Sequence, residues 1–195
     1  MEDYIIEHLY PTPIYATILD EVDAVQAELA AKIDQVNYIT IDSWGRPHHI
    51  STALFDEDIM KRIGLEELPK RLDWHLRNYM SEVGFAMRDY RIESWFSKFE
   101  PGEHGQVHNH HIADVSGVYY YKTNEKDGDL FFESPVPCNH SSLCFGEKYG
   151  QRWRHSPKVG KLLLFPGWLN HGITTNHTDE DRISVSFNIH FKRLQ

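Results

Sequence analysis

Apolar positions change period once along the chain, and that change divides the sequence into two parts. Val22, Val25, Leu29, Ile33 and Val36 recur at helical spacing after Asp20, so residues 21–36 are expected to form an amphipathic helix with Asp20 as its N-cap. A second helix is expected over residues 69–83. Pro69 would sit in its first turn, Leu72, Leu76, Tyr79, Met80 and Val83 would form its stripe, and Gly84 would stop it. From Tyr90 onward the period is two. Short runs rich in Val, Ile, Tyr and Phe alternate with turn clusters: "YRIESWFSKF", "VSGVYYYK", "GDLFFES", "GKLLLFPGW" and "RISVSFNIHF". Helices followed by strands predict an α+β chain with a mainly β core, an antiparallel sandwich or barrel. One domain is expected over residues 1–195, with a helical part over 1–89 and the β core over 90–195.

Composition narrows the function classes. The formal net charge of −9 leaves no basic field to draw the chain onto phosphate backbones or an anionic membrane, so neither nucleic acid nor membrane is an expected partner. The N-terminus carries acids where a signal peptide needs basic residues, and no apolar run approaches the roughly 20 residues that span a bilayer. Two cysteines, Cys138 and Cys144, are too few for a disulfide framework, and a reducing cytoplasmic setting is expected. An exposed sheet edge or the N-terminal helices leave a homodimer open.

Candidate chemistry concentrates in "VHNHHIADVSGVYYYK", residues 107–122. On an extended strand, residues two apart share a face at about 6.6 Å, so His108 and His110 converge while Asn109 and His111 face away. That geometry suits two ligands of one metal ion. His171 in "FPGWLNHGI", just past an apolar run, is the best candidate for a third, and imidazoles alone do not choose among iron, zinc, copper and nickel. Arg182 begins "RISVSFN", with Ser184 and Ser186 on the same strand face. A guanidinium inside a barrel with a serine beside it is a bidentate receptor for a small dicarboxylate. Tyr120 shares the parity of His108 and His110 and would face the same interior if the strand ran unbroken. Bland readings account for each residue taken singly: a solvated histidine loop, an Arg182 ion pair with Asp179 or Asp181, a core Tyr120.

Taken together, these residues resemble the iron(II) and 2-oxoglutarate-dependent dioxygenases, in particular a small family of oxygenases known mainly from bacterial and phage genomes. The resemblance is carried by "LYPTPIYATIL", "ESWFSKFEPGEHGQVHNH", "SGVYYYK" and "GKLLLFPGWLNHGITTNHTDEDRISVSFN". It implies a double-stranded β-helix, the cupin-like jelly roll, buttressed by N-terminal helices. It also implies Fe(II), 2-oxoglutarate and O2 as cofactor and cosubstrates. His108 and His171 look like metal ligands, Arg182 and Ser184 like the clamp on the distal carboxylate, and Tyr120 like the tyrosine that assists it. No catalytic side chain beyond the metal centre is implied. The expected reaction is hydroxylation of a C–H bond in a protein side chain or small metabolite, with decarboxylation of 2-oxoglutarate to succinate, in the cytoplasm of a bacterium or of a phage host.

One position departs from the wider superfamily, whose first motif is His-X-Asp. His110 stands at the place of the aspartate, so the metal set reads His108, His110 and His171, all neutral, and leaves the ion more positive than the usual set does. Asp114 is a minor alternative for the third ligand. Three histidines also occur in cupin dioxygenases that need no 2-oxo acid, and a non-catalytic metal-binding jelly roll is a further alternative. Arg182 argues against the cupin alternative. Trp95 and Trp168 are expected to help wall the site. "CNHSSLC" offers Cys138, His140 and Cys144 to zinc, with His155 as a distant fourth ligand. "WGRPHH" and "WRH" are expected loop decoration at the mouth of the barrel.

Overall fold

The computed structural model describes residues 5, 11–41, 48–51, 57–136, 141–149 and 152–193. The element order begins β1 (Tyr15–Ile18), α1 (Val22–Lys32), β2 (Ile39–Ile41), β3 (His48–Ile50), α2 (Ile59–Arg62) and α3 (Glu67–Glu82). It continues β4 (Tyr90–Phe99), β5 (Gly105–His108), β6 (Val115–Lys122), β7 (Leu130–Phe132) and α4 (Leu143–Tyr149), and ends β8 (Trp153–His155), β9 (Lys161–Pro166), β10 (His171–Ile173) and β11 (Arg182–Phe191).

Both expected helices form, with shifted ends. The helix α1 starts after Glu21, a left-handed residue at φ 55° whose side chain caps nothing; a 3-10 turn over Ile33–Gln35 finishes it. Asp20 is therefore not the N-cap. The carboxylate of Glu21 instead pairs with Arg71 on α3. That helix begins before Pro69 because Glu28 of α1 accepts hydrogen bonds from the N–H groups of Glu66 (2.7 Å) and Glu67 (3.0 Å). A cap donated by a neighbouring helix satisfies the open first turn, a tertiary contact with no local signature. Leu72, Leu76, Tyr79 and Met80 are buried as the spacing requires, whereas Val83 is exposed.

The strands form two antiparallel sheets. The larger has the order β1-β9-β6-β11-β4-β3-β2, and the smaller β5-β10-β7-β8. From β4 onward the chain crosses repeatedly between the sheets, which is the winding of a jelly roll. Each sheet keeps its own edges, so the architecture is an open sandwich and not a closed barrel. Strands also occur before Tyr90: β1 pairs with β9, and β3 pairs with β4, so the N-terminal part widens the large sheet as well as supplying helices.

Alternation on β11 decides how the layers separate. Val185, Phe187 and Ile189 pack outward with Phe96 against Leu29, Leu68, Leu72 and Leu76 of the helices, forming the main core. Arg182, Ser184, Ser186 and Asn188 face inward, toward the smaller sheet. A second core of Val118, Leu130, Phe132, Leu163 and Phe165 glues the two sheets at one side, and an open cavity occupies the rest of the interlayer space. Among the described residues no helix is long and apolar enough to cross a membrane.

Candidate metal centre and adjoining cavity

Two of the candidate histidines are direct cross-strand neighbours. His108 ends β5, His171 begins β10, and the two stand opposite each other in the ladder. His110 lies just beyond β5, where its N–H donates to Gly167 O (2.7 Å) and its carbonyl accepts from Ala113 N (2.7 Å). This pins the His110 loop to the turn before His171. Asn109 reinforces the junction through its amide, which donates to Asn170 Oδ1 at 2.8 Å. Gly167 is needed there, because a Cβ would come within 2.3 Å of Ala113 O and 2.8 Å of His110 O.

The result is a tight triad. The candidate ligand atoms of His108, His110 and His171 all lie within 4.8 Å of one another. Metal–nitrogen bonds of about 2.1 Å place ligand nitrogens some 3 to 4 Å apart, so small ring rotations close the set on one ion. Tautomers are pre-set for this. His108 Nδ1 lies 2.8 Å from Gln106 O, and His171 Nδ1 lies 2.9 Å from Leu169 O. A carbonyl only accepts, so each Nδ1 carries the proton and the lone pair sits on Nε2. Backbone carbonyls thus orient both rings, as partners of ligating histidines commonly do.

Burial keeps the rings neutral. Desolvation, followed by repulsion from His108, takes His110 down to about 4 and His171 to about 3; desolvation also lowers His108. Neutral imidazole is the ligating form. The unfolded chain, with histidines near pKa 6.5, takes up protons on acidification before the folded one does. Stability present above about pH 6.5 is therefore lost as the pH falls toward the folded values. His75 and His155, also lowered by burial, act in the same direction. Thermal unfolding of metal-free protein should give a lower Tm at pH 5 than at pH 7, with the difference at least as large when the triad is loaded with metal, because metal binding itself requires neutral imidazoles.

A buried cation stands elsewhere in the same cavity. Arg182 is 1% exposed, and Ser184 and Tyr120, which face each other across β11 and β6, are as deeply buried. A register shift between Ile183 and Ser184 brings that pair into line. The guanidinium lies 4.7 Å from the Phe99 ring and 5.6 Å from the Tyr120 ring, and one Nη donates to Gly128 O at 3.0 Å. Gly128 adopts φ 105°, and a Cβ there would meet Thr174 O at 2.3 Å. Among the described residues Arg182 has no carboxylate in ion-pair range, and its buried Nε–H has no hydrogen-bond partner. An ion pair with Asp179 or Asp181 is thereby set aside. Asp127 and Asp129 stand close enough to favour its charge without pairing with it, and a buried cation with an idle donor can accept a further anion.

The cavity holding all six residues measures about 760 Å³. Trp95 lines it and stands 5.6 Å from the His110 ring, whereas Trp168 is 49% exposed and does not line it. Asp114 is exposed, and its Oδ2 accepts from Phe191 N at 2.7 Å, which places it outside the triad. His48 also lines the cavity, stacked on Phe99 at 6.0 Å, so the segment read as loop decoration contributes a wall residue. Phe99 and Gly128, which frame Arg182, escaped the sequence reading; Phe99 could have been found from its parity with Trp95 on β4. Cys138 and His140 lie outside the described residues, and Cys144 is an exposed free thiol. A second metal-capable group, His49, Glu100 and Glu103, is already engaged by Lys98 Nζ at 2.6 Å from Glu100, so it is an ion-pair network.

Residues 93–188 match the family described as "Putative 2OG-Fe(II) oxygenase". Among solved structures, a Pseudomonas putida prolyl-4-hydroxylase superposes with a TM-score of 0.62 at 15% identity, covering 93% of each chain. A 2OG-Fe(II) oxygenase family oxidoreductase from Burkholderia pseudomallei gives 0.64 at 10% identity, over 90% of this chain and 84% of that one. HygX from Streptomyces hygroscopicus, solved with nickel, 2-oxoglutarate and hygromycin B, gives 0.57 at 14% identity, over 91% and 82%. At these identities the likeness establishes the fold. No curated protein matches the chain in sequence.

Proposed function

We propose that the chain, whose residues 93–188 match the 2OG-Fe(II) oxygenase family, is an oxygenase of that kind and hydroxylates a C–H bond of a protein side chain or small metabolite. In this reading His108, His110 and His171 hold Fe(II), and Arg182, Ser184 and Tyr120 hold the distal carboxylate of 2-oxoglutarate. One observation carries the assignment: a buried guanidinium with an unbonded Nε–H and no ion pair among the described residues shares one cavity with a tight, neutral histidine triad. The donor set fits iron, for which imidazole is a suitable ligand. Bound there, the iron would supply oxidative chemistry driven by O2 and by decarboxylation of the 2-oxo acid to succinate.

The chain's own residues do the positioning. Arg182 offers a forked donor, with Gly128 O fixing its orientation and Phe99 packing one face. Ser184 and Tyr120 add hydroxyls that can reach the same carboxylate, and Tyr120 stays a neutral donor because burial pushes its phenol up to about 12. Carbonyls of Gln106 and Leu169 keep two imidazoles turned toward the ion. The apolar walls, Trp95, Phe165 and Ile173 among them, limit water at the reacting centre. A volume of about 760 Å³ far exceeds a five-carbon dicarboxylate and leaves room for a second molecule beside it. Absence of a disulfide framework supports a cytoplasmic setting.

The test is turnover. Purified protein supplied with Fe(II), 2-oxoglutarate and O2 should release succinate slowly alone and faster with its substrate, the increase identifying that substrate from a panel of amino acids, peptides and small metabolites. Absence of succinate under all conditions from a folded, iron-loaded protein would overturn the proposal.

A further inference from the structure

Three neutral ligands leave the metal centre one negative charge short of a 2-His-1-carboxylate set. On the cavity face of β4, Arg91, Glu93 and Trp95 follow one another at alternate positions, and Trp95 lies 5.6 Å from the His110 ring. Glu93 is 4% exposed and lines the cavity together with His110. It is held rather than idle: Oε1 accepts from Arg91 at 2.7 Å, Oε2 accepts from Asn188 at 3.3 Å, and His190 Nε2 lies 3.1 Å from Oε2. Asn188 is in turn fixed by Ser116, whose hydroxyl donates to it at 2.8 Å, and His190 Nδ1 lies 3.2 Å from Ile112 O in the loop that carries His110.

We infer that Glu93 supplies from the cavity wall the negative charge that the histidine triad lacks, acting as a positioning residue for the metal centre and not as a ligand. The inference rests on the metal-site reading above. Arg91 and His190 pair with each other across β4 and β11, one step farther from Trp95 than Glu93 is, and Arg91 is half exposed. Glu93 therefore stands nearer along the strand to Trp95, and so to the residue that meets the His110 ring, than Arg91 and His190 do. Burial raises the Glu93 carboxyl, but the nearby His190 ring and the bonds from Arg91 and Asn188 outweigh it and hold the group below the usual carboxylate range.

Removing the charge affects two ligands with opposite signs, which separates electrostatics from simple loosening. Glu93→Gln keeps the shape and most of the hydrogen bonding. It should weaken Fe(II) binding to the metal-free protein by about 10-fold or more while tightening binding of the 2-oxoglutarate dianion to the metal-loaded protein. Glu93→Asp should restore Fe(II) affinity in part. Anaerobic titrations with Fe(II), then with 2-oxoglutarate, read both constants. Unchanged Fe(II) affinity in Glu93→Gln, or parallel weakening of both ligands, would overturn the inference. Failure of the wild-type protein to bind Fe(II) or 2-oxoglutarate would instead sink the metal-site reading on which it stands.

Discussion

Arg182→Ala is expected to weaken 2-oxoglutarate binding by at least about 100-fold, roughly 3 kcal/mol, while Fe(II) binding is retained. The size follows from burial. At 1% exposure the guanidinium has shed its water, and its idle Nε–H makes it a receptor whose desolvation is offset only when an anion arrives. Ser184 and Tyr120 remain in the variant, but neutral hydroxyls do not replace a forked cation. Arg182→Lys should recover only part of the loss, because an ammonium cannot present two parallel donors. The fold should survive: among the described residues the Arg182 side chain makes one hydrogen bond, to Gly128 O, and the main core lies on the opposite face of β11. Isothermal titration of metal-loaded variants with 2-oxoglutarate, beside thermal unfolding, measures both points.

His171→Ala should abolish stoichiometric Fe(II) binding, an effect exceeding the 10- to 100-fold typical of outer-shell changes. His171 is the most buried ring of the triad, its Nδ1 is fixed by Leu169 O, and it stands directly across the ladder from His108. Two histidines, from β5 and the loop that follows it, would remain, without the partner on β10 that sets the third direction. The ring also packs on Phe165 at 4.8 Å, so the variant should lose about 1–3 kcal/mol of stability. His171→Gln, which fills more of the space, separates the two effects: metal binding should stay lost while Tm recovers. Equilibrium dialysis against Fe(II) under anaerobic conditions reads the first, and calorimetry the second.

Much of this was legible because the relevant strands are long. The runs that became β4, β6 and β11 are eight to ten residues long and bounded by turn clusters, so their bounds could be read directly, and the alternation of the β11 run gave the shared face of Arg182 and Ser184. Short elements hide. The strands β1, β2 and β3 are three or four residues long and exist because β9 and β4 offer them free edges, a non-local condition with no signature in "YATI" or "HHI". The same holds for the donated cap from Glu28 and for Gly128, whose role depends on which side chain its carbonyl meets. His108 and His110 were paired by strand parity, yet only His108 is in a strand; the ring of His110 is brought in by the bond to Gly167 O. Tyr120 likewise reaches the cavity from β6 after the chain has turned, so an unbroken strand was not required.

The measurement that bears most directly on the central claim is an anaerobic titration of metal-free protein with Fe(II) followed by 2-oxoglutarate, monitored in the visible for the charge-transfer band of the iron–2-oxo-acid chelate. The expected result is a saturable band at one equivalent of iron, absent in His171→Ala and shifted to far higher 2-oxoglutarate concentrations in Arg182→Ala. A folded protein that takes up iron through the triad yet develops no band, or whose band is indifferent to Arg182, would contradict it and point to a jelly roll that uses its metal without a 2-oxo acid.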